Sequence, residues 1–477
     1  MKHFVNPIGL TLILAVLAAY LFFSPGFGLN LFLFDAVLIL SLLAWQPESG
    51  RRPFVQAGIL LTLATAVSTV IVGSKVSLVA HHLSLLLLTG YVNRREMRFV
   101  WYALILGMTT ALASPLTAGR ALLGGGASRG VWRGSRRWLM PAAVALLVSL
   151  PFFLLYSTGE LRFLALIDRI TTTLFAGWNA DLLRIILLVA VGGSVAAMLL
   201  LPAPFHVFSL TESNQPDALR RERHRSPRLR YASLRSRIRT SLIVLICLNL
   251  LLALFHLSDL RFLWLATEPA TAAELSRYVH AGTSNLLVSL LLAMAVVMVI
   301  FRGNFNFFRG AGPLRRLTYL WLAQNALLVF SVAIRNVRYI VEYGLTHRRI
   351  LVAFGLLLIL TGLYSLYRKV RFQRSLRYLL QVNGLALWIF VVAAGAVNWS
   401  VVITRFNLTY PNDRIDWTYL TKDLYPDNEF LLRREARRVP GSFPGGPTER
   451  EPSADWRTWN YPTWRNARFY RDGAQVQ

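Results

Sequence analysis

Five polar side chains recur along one otherwise apolar stretch. Gln324, Ser331, Arg335, Arg338 and Glu342 stand three, four or seven residues apart between Leu317 and Tyr343. On an α-helix those intervals place all five on one face. Two guanidiniums side by side can grip an anionic group through paired, charge-assisted hydrogen bonds. Arg338 and Glu342, four residues apart, can also pair with each other. Asn325, Asn336, Tyr339 and Tyr343 make an adjoining polar-aromatic edge, and Thr346 and Arg349 follow in the turn YGLTHRR. The competing reading is snorkelling, in which Arg335 and Arg338 simply reach the headgroups. Gln324 and Ser331 lie deeper, where snorkelling does not help.

Three other groups could do chemistry. Glu274, Arg277, His280, Thr283 and Asn285 cluster at the start of an apolar run, on the side where Arg338 ends. A satisfied interfacial histidine is the plainer reading of His280. No spacing supplies the further ligands a metal would need, so none is expected. Asp35 sits inside the second apolar run and His81-His82 inside the fourth. A carboxyl within a bilayer is costly and marks a functional candidate by default, for example in proton coupling, with His81 or His82 as its partner. In FRGNFNFFRG, Arg302 could meet a lipid phosphate or serve only to position the loop. The chain has no Walker loop, no GxGxxG, no GxSxG and no HExxH, and ALLGGG at 121–126 lacks the following lysine. No cofactor is expected.

The elements that must hold these residues are membrane helices. Of 477 residues, 55% are hydrophobic and only 16% charged, against roughly 25% in soluble domains. Apolar runs long enough to cross a bilayer lie at 7–23, 28–45, 54–72, 76–92, 99–116, 138–157, 183–202, 240–257, 281–301, 317–336, 350–367 and 383–403. No alternating barrel pattern appears, so the spans must be helices. The expected fold is all-α: a polytopic integral membrane protein with 11 or 12 transmembrane helices, short interfacial helices and a partly disordered tail.

A net charge of +28 would suggest nucleic acid in a soluble protein. Here the charge sits between spans, where it fixes orientation and meets anionic lipid, and no nucleic-acid partner is expected. The loops 120–137, 203–239, 302–316 and 368–382 hold 23 Lys and Arg, whereas 158–182, 258–280 and 337–349 hold seven. The positive-inside rule puts the first set in the cytoplasm and the tail after Thr404 outside, which is periplasmic for a bacterial inner membrane. The front of the chain leaves two readings. If 99–116 crosses, Arg51, Arg52, Arg94, Arg95 and Arg98 break the rule; if 99–119 is re-entrant or interfacial, every loop obeys it. Segment 160–182 reads as an interfacial helix. The single cysteine, Cys247, lies within a span, so no disulfide is expected. Four regions result: N-terminal spans at 1–119, spans with basic loops at 120–239, C-terminal spans carrying YGLT at 240–404, and an extramembrane tail at 405–477. Beyond Pro440 the tail is rich in Gly, Pro, Arg and Trp. That composition favours disorder over the alternative, an arm packing on the membrane surface by its aromatics.

The stretches RYVHAGT, FRGNFNF, LTYLWLAQNALLV, IRNVRYIVEYGLTHRRI, QVNG, the pair Asn398-Trp399 and IDWTYLTKDLYPDNEFL resemble bacterial multi-span membrane proteins of the domain-of-unknown-function 4153/4173 type, in the form common in Bacteroidetes. The resemblance implies a polytopic inner-membrane protein and brings no activity, cofactor or catalytic residue. Three functions follow as expectations. The first is a non-enzymatic, transporter-like or envelope-associated protein, whose outward polar site takes an anionic lipid or small solute. The second is an enzyme acting on lipid-linked sugars or phosphates through Glu274, Arg338 and Arg349. The third is a scaffold or sensor, binding a partner through its tail or Arg-rich loop.

Overall fold

The computed structural model describes residues 6–95, 97–122, 179–201, 227–259, 291–301, 309–410, 416–434 and 455–474, with short pieces at 165–166, 169–170, 172–173 and 288–289. The described residues form α1 (Pro7–Phe22), α2 (Leu29–Trp45), α3 (Pro53–Val72), α4 (Lys75–Asn93), α5 (Val100–Leu122), α6 (Ala180–Leu200), α7 (Pro227–Asp259), α8 (Leu291–Ile300), α9 (Gly312–Tyr343), α10 (His347–Phe372), α11 (Leu376–Gly395), α12 (Trp399–Thr409), α13 (Glu429–Arg434) and α14 (Tyr461–Ala474). Eight of these are long and apolar enough to cross a membrane: α3 to α7 and α9 to α11; α1, α2 and α8 are shorter apolar helices. The expected span at 138–157 and the interfacial helix at 160–182 lie, wholly or largely, outside the described residues.

The chain divides into two compact units. The first comprises Met1–Ser213, Ala394–Val397 and Glu449–Gln477; the second comprises Asn214–Ala393 and Asn398–Thr448. In the first unit α1 packs on α6 through small residues. A Cβ on Gly192 would stand 2.1 Å from that of Ala18, and one on Gly193 would stand 3.3 Å from that of Ala15. Close backbone approach of this kind is how apolar helices cohere without a hydrophobic drive between them. α5 runs antiparallel to α4 in the same way, Gly107 beside Leu86 and Gly90 beside Ala103. It is continuous from Val100 to Leu122 despite Pro115. By length and composition it can cross a membrane, as α4 can. Asn93 Nδ2 donates to the Met198 carbonyl at 3.1 Å, so α4 and α6 end together. α5 therefore ends, and α6 begins, at the end of the unit where α1 meets α2. Arg51, Arg52, Arg94, Arg95 and Arg98 all stand at the opposite end.

Residues 455–474 are ordered, where composition favoured disorder. A short 3₁₀ turn, Trp456–Thr458, leads into α14. The Arg457 guanidinium donates to both Asp455 oxygens (2.8 and 2.9 Å), to the Tyr20 carbonyl at 2.6 Å and to Ser24 Oγ at 3.1 Å, while Ser24 Oγ donates to Asp455. The Leu29 amide donates to the Trp459 carbonyl at 2.9 Å. At Gly28 a Cβ would lie 2.3 Å from that carbonyl, so only glycine lets the two backbones touch. Specific hydrogen bonds, not an aliphatic core, hold this arm, which is why composition did not reveal it.

The arm carries a pH prediction. Hydrogen bonds from Arg457 and Ser24 hold the Asp455 carboxyl well below the usual carboxylate range. A lowered native pKa stabilises docking above the free value of about 4 and is lost as pH falls below it. Spin labels at positions 27 and 461 should therefore hold a short distance from neutral pH down to about pH 4 and separate in stronger acid. Asp455→Ala should leave them apart at every pH.

In the second unit α7 and α9 lie parallel, Asn249 beside Leu317 and His256 beside Gln324. α10 returns antiparallel. Their apolar faces meet in a core containing Leu245, Val297, Phe301, Leu314, Val332 and Leu363. The last expected span, 383–403, proves to be two elements. α11 ends at Gly395, and α12 restarts at Asn398, whose side chain accepts from the Val401 amide at 3.1 Å. A hydropathy window averages across such an N-cap; the hydrogen bond does not.

Candidate functional sites

Asp35 and His81 meet inside the first unit. Asn30 sets the start of α2 by accepting from the amides of Gly28 and Leu31 and donating to the carbonyls of Leu21 and Gly26. Ser74 caps α4 by accepting from the Ser77 amide. Each polar residue then falls six positions into its helix, about 9 Å down at 1.5 Å per residue. His81 Nε2 lies 3.4 Å from Asp35 Oδ2, and both side chains are 1% exposed. Asp35 Oδ2 and His81 Nδ1 make no hydrogen bond. His82 points outward and its Nδ1 lies 2.7 Å from the Leu78 carbonyl, while its ring stacks edge-on with His81 at 5.2 Å. The pair borders a cavity of about 320 Å³ walled by Phe22, Phe27, Phe34, Leu85, Leu188 and Val191. Sequence alone offered the carboxyl and a choice of histidines. Helix phase chose His81, because adjacent residues point about 100° apart.

The polar row of α9 divides. Gln324 turns to α7, donating through Nε2 to Asn249 Oδ1 at 2.8 Å, and its carbonyl meets His256 Nε2 at 2.9 Å. Asn325 is buried and donates to its own helix at the Trp321 carbonyl. Ser331 and Arg335 are buried one turn apart, at 4% and 5% exposure. Arg338 is exposed, while Glu342 and Tyr343 are half-buried. Arg338 sits at the margin of the polar face, which explains its separation from Arg335. Asn249 and His256 were missed in sequence. Their signal was two polar residues seven apart in an apolar run, one stripe on the helix.

Thr346 and Arg349 belong to a different construction. The Arg349 guanidinium donates to the carbonyls of Tyr343 (3.0 Å) and Gly344, and lies 4.2 Å from the centroid of the Tyr339 ring. The Thr346 carbonyl accepts from the amides of Arg349 and Ile350. Asn407 clamps Leu345 from α12, accepting its amide at 2.6 Å and donating to its carbonyl at 3.0 Å. Tyr419 Oη accepts the His347 amide at 3.0 Å and stands 2.7 Å from His347 Nδ1. Burial pushes the Tyr419 phenol up. Below it, Ile403, Leu420, Leu424 and Leu432 form a small core, and Asn428 ties Thr404 to the Leu420 carbonyl. The YGLT turn, Asn398-Trp399 and the IDWTYLTKDLY segment thus make one cap on the second unit. Glu274 and His280 lie outside the described residues, so no statement places them. Among the described residues no group of three or more His, Cys, Asp or Glu could hold a metal.

An all-helical described structure with eight apolar helices of spanning length defines a polytopic membrane protein. The chain belongs to the family described as domain of unknown function DUF4153, which matches residues 57–432. No curated protein and no solved structure matches it. The family match ends at Leu432, inside the cap core. α1, α2 and the arm at 455–474, which hold one another, lie outside it.

Proposed function

We propose that the protein is a non-enzymatic, transporter-like or envelope-associated protein of a bacterial inner membrane. Its polar site on α9 faces outward and takes an anionic lipid headgroup or a small anionic solute. The observation that carries this reading is Arg335, a guanidinium 5% exposed within a spanning helix, one turn from buried Ser331. Charges inside a bilayer face protein or water and mark ligand paths far more often than they fill space. Asn325 and Asn336 are buried on the adjoining edge, and Arg338 and Glu342 lie toward the C-terminal end of the helix. Charge bias supports the orientation, with the Arg-rich loop 203–239 in the cytoplasm and the cap and tail outside.

Two observations favour this over the alternatives. An enzyme acting on lipid-linked sugars or phosphates would need Arg349 available, yet its guanidinium is committed to two carbonyls and a tyrosine face. A scaffold that binds through its tail would need the tail free, yet 455–474 is packed on its own unit.

Cysteine reporters supply the test, in a Cys247→Ser background. Cysteines at 331 and 335 are expected to react with a small hydrophilic thiol reagent added from outside. Inorganic phosphate or phosphatidylglycerol should slow the reaction at least fivefold. Reporters that stay inert while one at exposed position 338 reacts would overturn the reading.

A further inference from the structure

The end of α10 opposite the cap is a basic surface. Arg368 is half-buried and Arg371 exposed in the last two turns of that helix. Each is held by a phenol one turn back. The Arg368 guanidinium donates to Tyr364 Oη at 3.1 Å, and that of Arg371 donates to Tyr367 Oη. Both guanidiniums lie against the same ring, 4.9 and 5.6 Å from the Phe372 centroid. Tyr367 packs in turn on Tyr319 of α9, with ring centroids 5.5 Å apart. Lys369, between the two arginines in sequence, turns inward and donates to the carbonyls of Phe301 and Arg374 at 3.3 and 3.1 Å. Neutral groups thus position Arg368 and Arg371, and no described carboxylate pairs with either. The described carboxyls of this unit, Glu342, Asp416, Asp423, Asp427 and Glu429, stand at the other end of α10, beside or within the cap. A guanidinium carries five N–H donors, and a phenol takes one. An oxyanion is the group that two neighbouring guanidiniums bind together.

The same face of the helix says what carries that oxyanion. Leu357, Thr361, Tyr364, Arg368, Arg371 and Phe372 follow one another within a single stripe of α10. Leu357, Tyr364 and Phe372 are exposed. Leu357 lies about 16 Å along the axis from Arg368 by helix rise, the depth of one leaflet of a roughly 30 Å hydrocarbon core. We infer that this stripe binds one anionic phospholipid, its phosphate between Arg368 and Arg371 and an acyl chain along Tyr364 and Leu357. A soluble phosphate ester would use the guanidiniums and leave the apolar part of the stripe without an occupant. The site is separate from the one proposed on α9. Tyr319, which marks this end on α9, lies about 24 Å along the helix from Arg335, so neither reading stands or falls with the other.

The experiment reads the stripe itself. The purified full chain, as Thr361→Cys in a Cys247→Ser background and labelled there with bimane, is reconstituted in phosphatidylcholine bilayers. Phosphatidylglycerol or phosphatidylcholine with brominated chains is then added as the quencher. Brominated phosphatidylglycerol is expected to half-quench at a mole fraction about tenfold lower than brominated phosphatidylcholine. Arg368→Gln with Arg371→Gln should bring the two curves together. Arg51→Gln with Arg98→Gln removes the same charge from the first unit and should leave the preference intact. Glycerol 1-phosphate added in solution should not shift either curve. Should the Arg368 and Arg371 double variant melt at a lower temperature than the parent, the two single variants decide, each expected to reduce the preference by about threefold. The inference is overturned if the parent shows no preference, if the correctly folded Arg368 and Arg371 variants keep it, if the Arg51 and Arg98 pair abolishes it equally, or if glycerol 1-phosphate removes it.

Discussion

Gly344→Ala is expected to cost the cap about 3 kcal/mol and to open it to protease while the rest of the chain stays folded. Two effects add. Gly344 has φ +77° and ψ 178°, a backbone region essentially confined to glycine. A Cβ there would also stand 2.6 Å from Asn407 Oδ1, the atom that accepts the Leu345 amide. Alanine must therefore either strain the turn or push Asn407 away, leaving a half-buried amide and carbonyl unsatisfied. Trypsin cleavage after Lys422 and Arg433, followed over time, should accelerate by more than tenfold. Arg349→Lys should have a smaller effect in the same direction. An ammonium can still donate to the carbonyls but has no planar face to lie over Tyr339 as the guanidinium does. Cleavage at the parental rate in Gly344→Ala would show that the turn does not hold the cap.

The second large effect lies between α4 and α5. Gly107→Ala would put a Cβ 1.9 Å from the Leu86 carbonyl oxygen. That atom belongs to a helix backbone and cannot rotate away, so the helices must separate. Overpacking of this kind costs about 1–3 kcal/mol and occasionally more. The same contact recurs a turn away, where a Cβ on Gly90 would meet the Ala103 oxygen at 2.0 Å. An internal control exists on the same helix. Gly119 has nothing within 4 Å of its virtual Cβ, so Gly119→Ala should be neutral, or stabilising by up to about 1 kcal/mol through helix propensity. Unfolding in detergent, monitored by circular dichroism, should rank Gly107→Ala well below the parent and Gly119→Ala at or above it. Equal midpoints for the two would remove close packing as the force joining α4 to α5.

Much of the architecture was legible because it follows from one-dimensional rules. Backbone polar groups must be satisfied within each crossing, so long apolar runs become helices wherever the structure describes them. Positions of caps and breaks were harder to read. The run 383–403 averages as one apolar stretch, and the hydrogen bond made by Asn398 shows that it holds the end of one helix and the start of another. The arm was illegible for a related reason. Arg457, Asp455, Ser24 and the Tyr20 carbonyl are joined across more than 400 positions of chain, and no local pattern encodes a contact at that separation.

The candidate sites show the same division. Helical periodicity put Gln324, Ser331, Arg335, Arg338 and Glu342 on one face, and the chain does form one helix there. Which member of that face is buried depends on the neighbouring helices, and they cover Arg335 and leave Arg338 exposed. Arg349 read equally well as a ligand-binding cation until its partners were seen to be backbone carbonyls of its own turn. Residue type and spacing alone determined that this chain crosses a membrane many times and that a few polar groups lie inside. Tertiary packing alone decided that Asp35 meets His81 beside a cavity and that YGLT closes a cap. Periodicity fixes where a side chain points from its own axis, but not what stands opposite it.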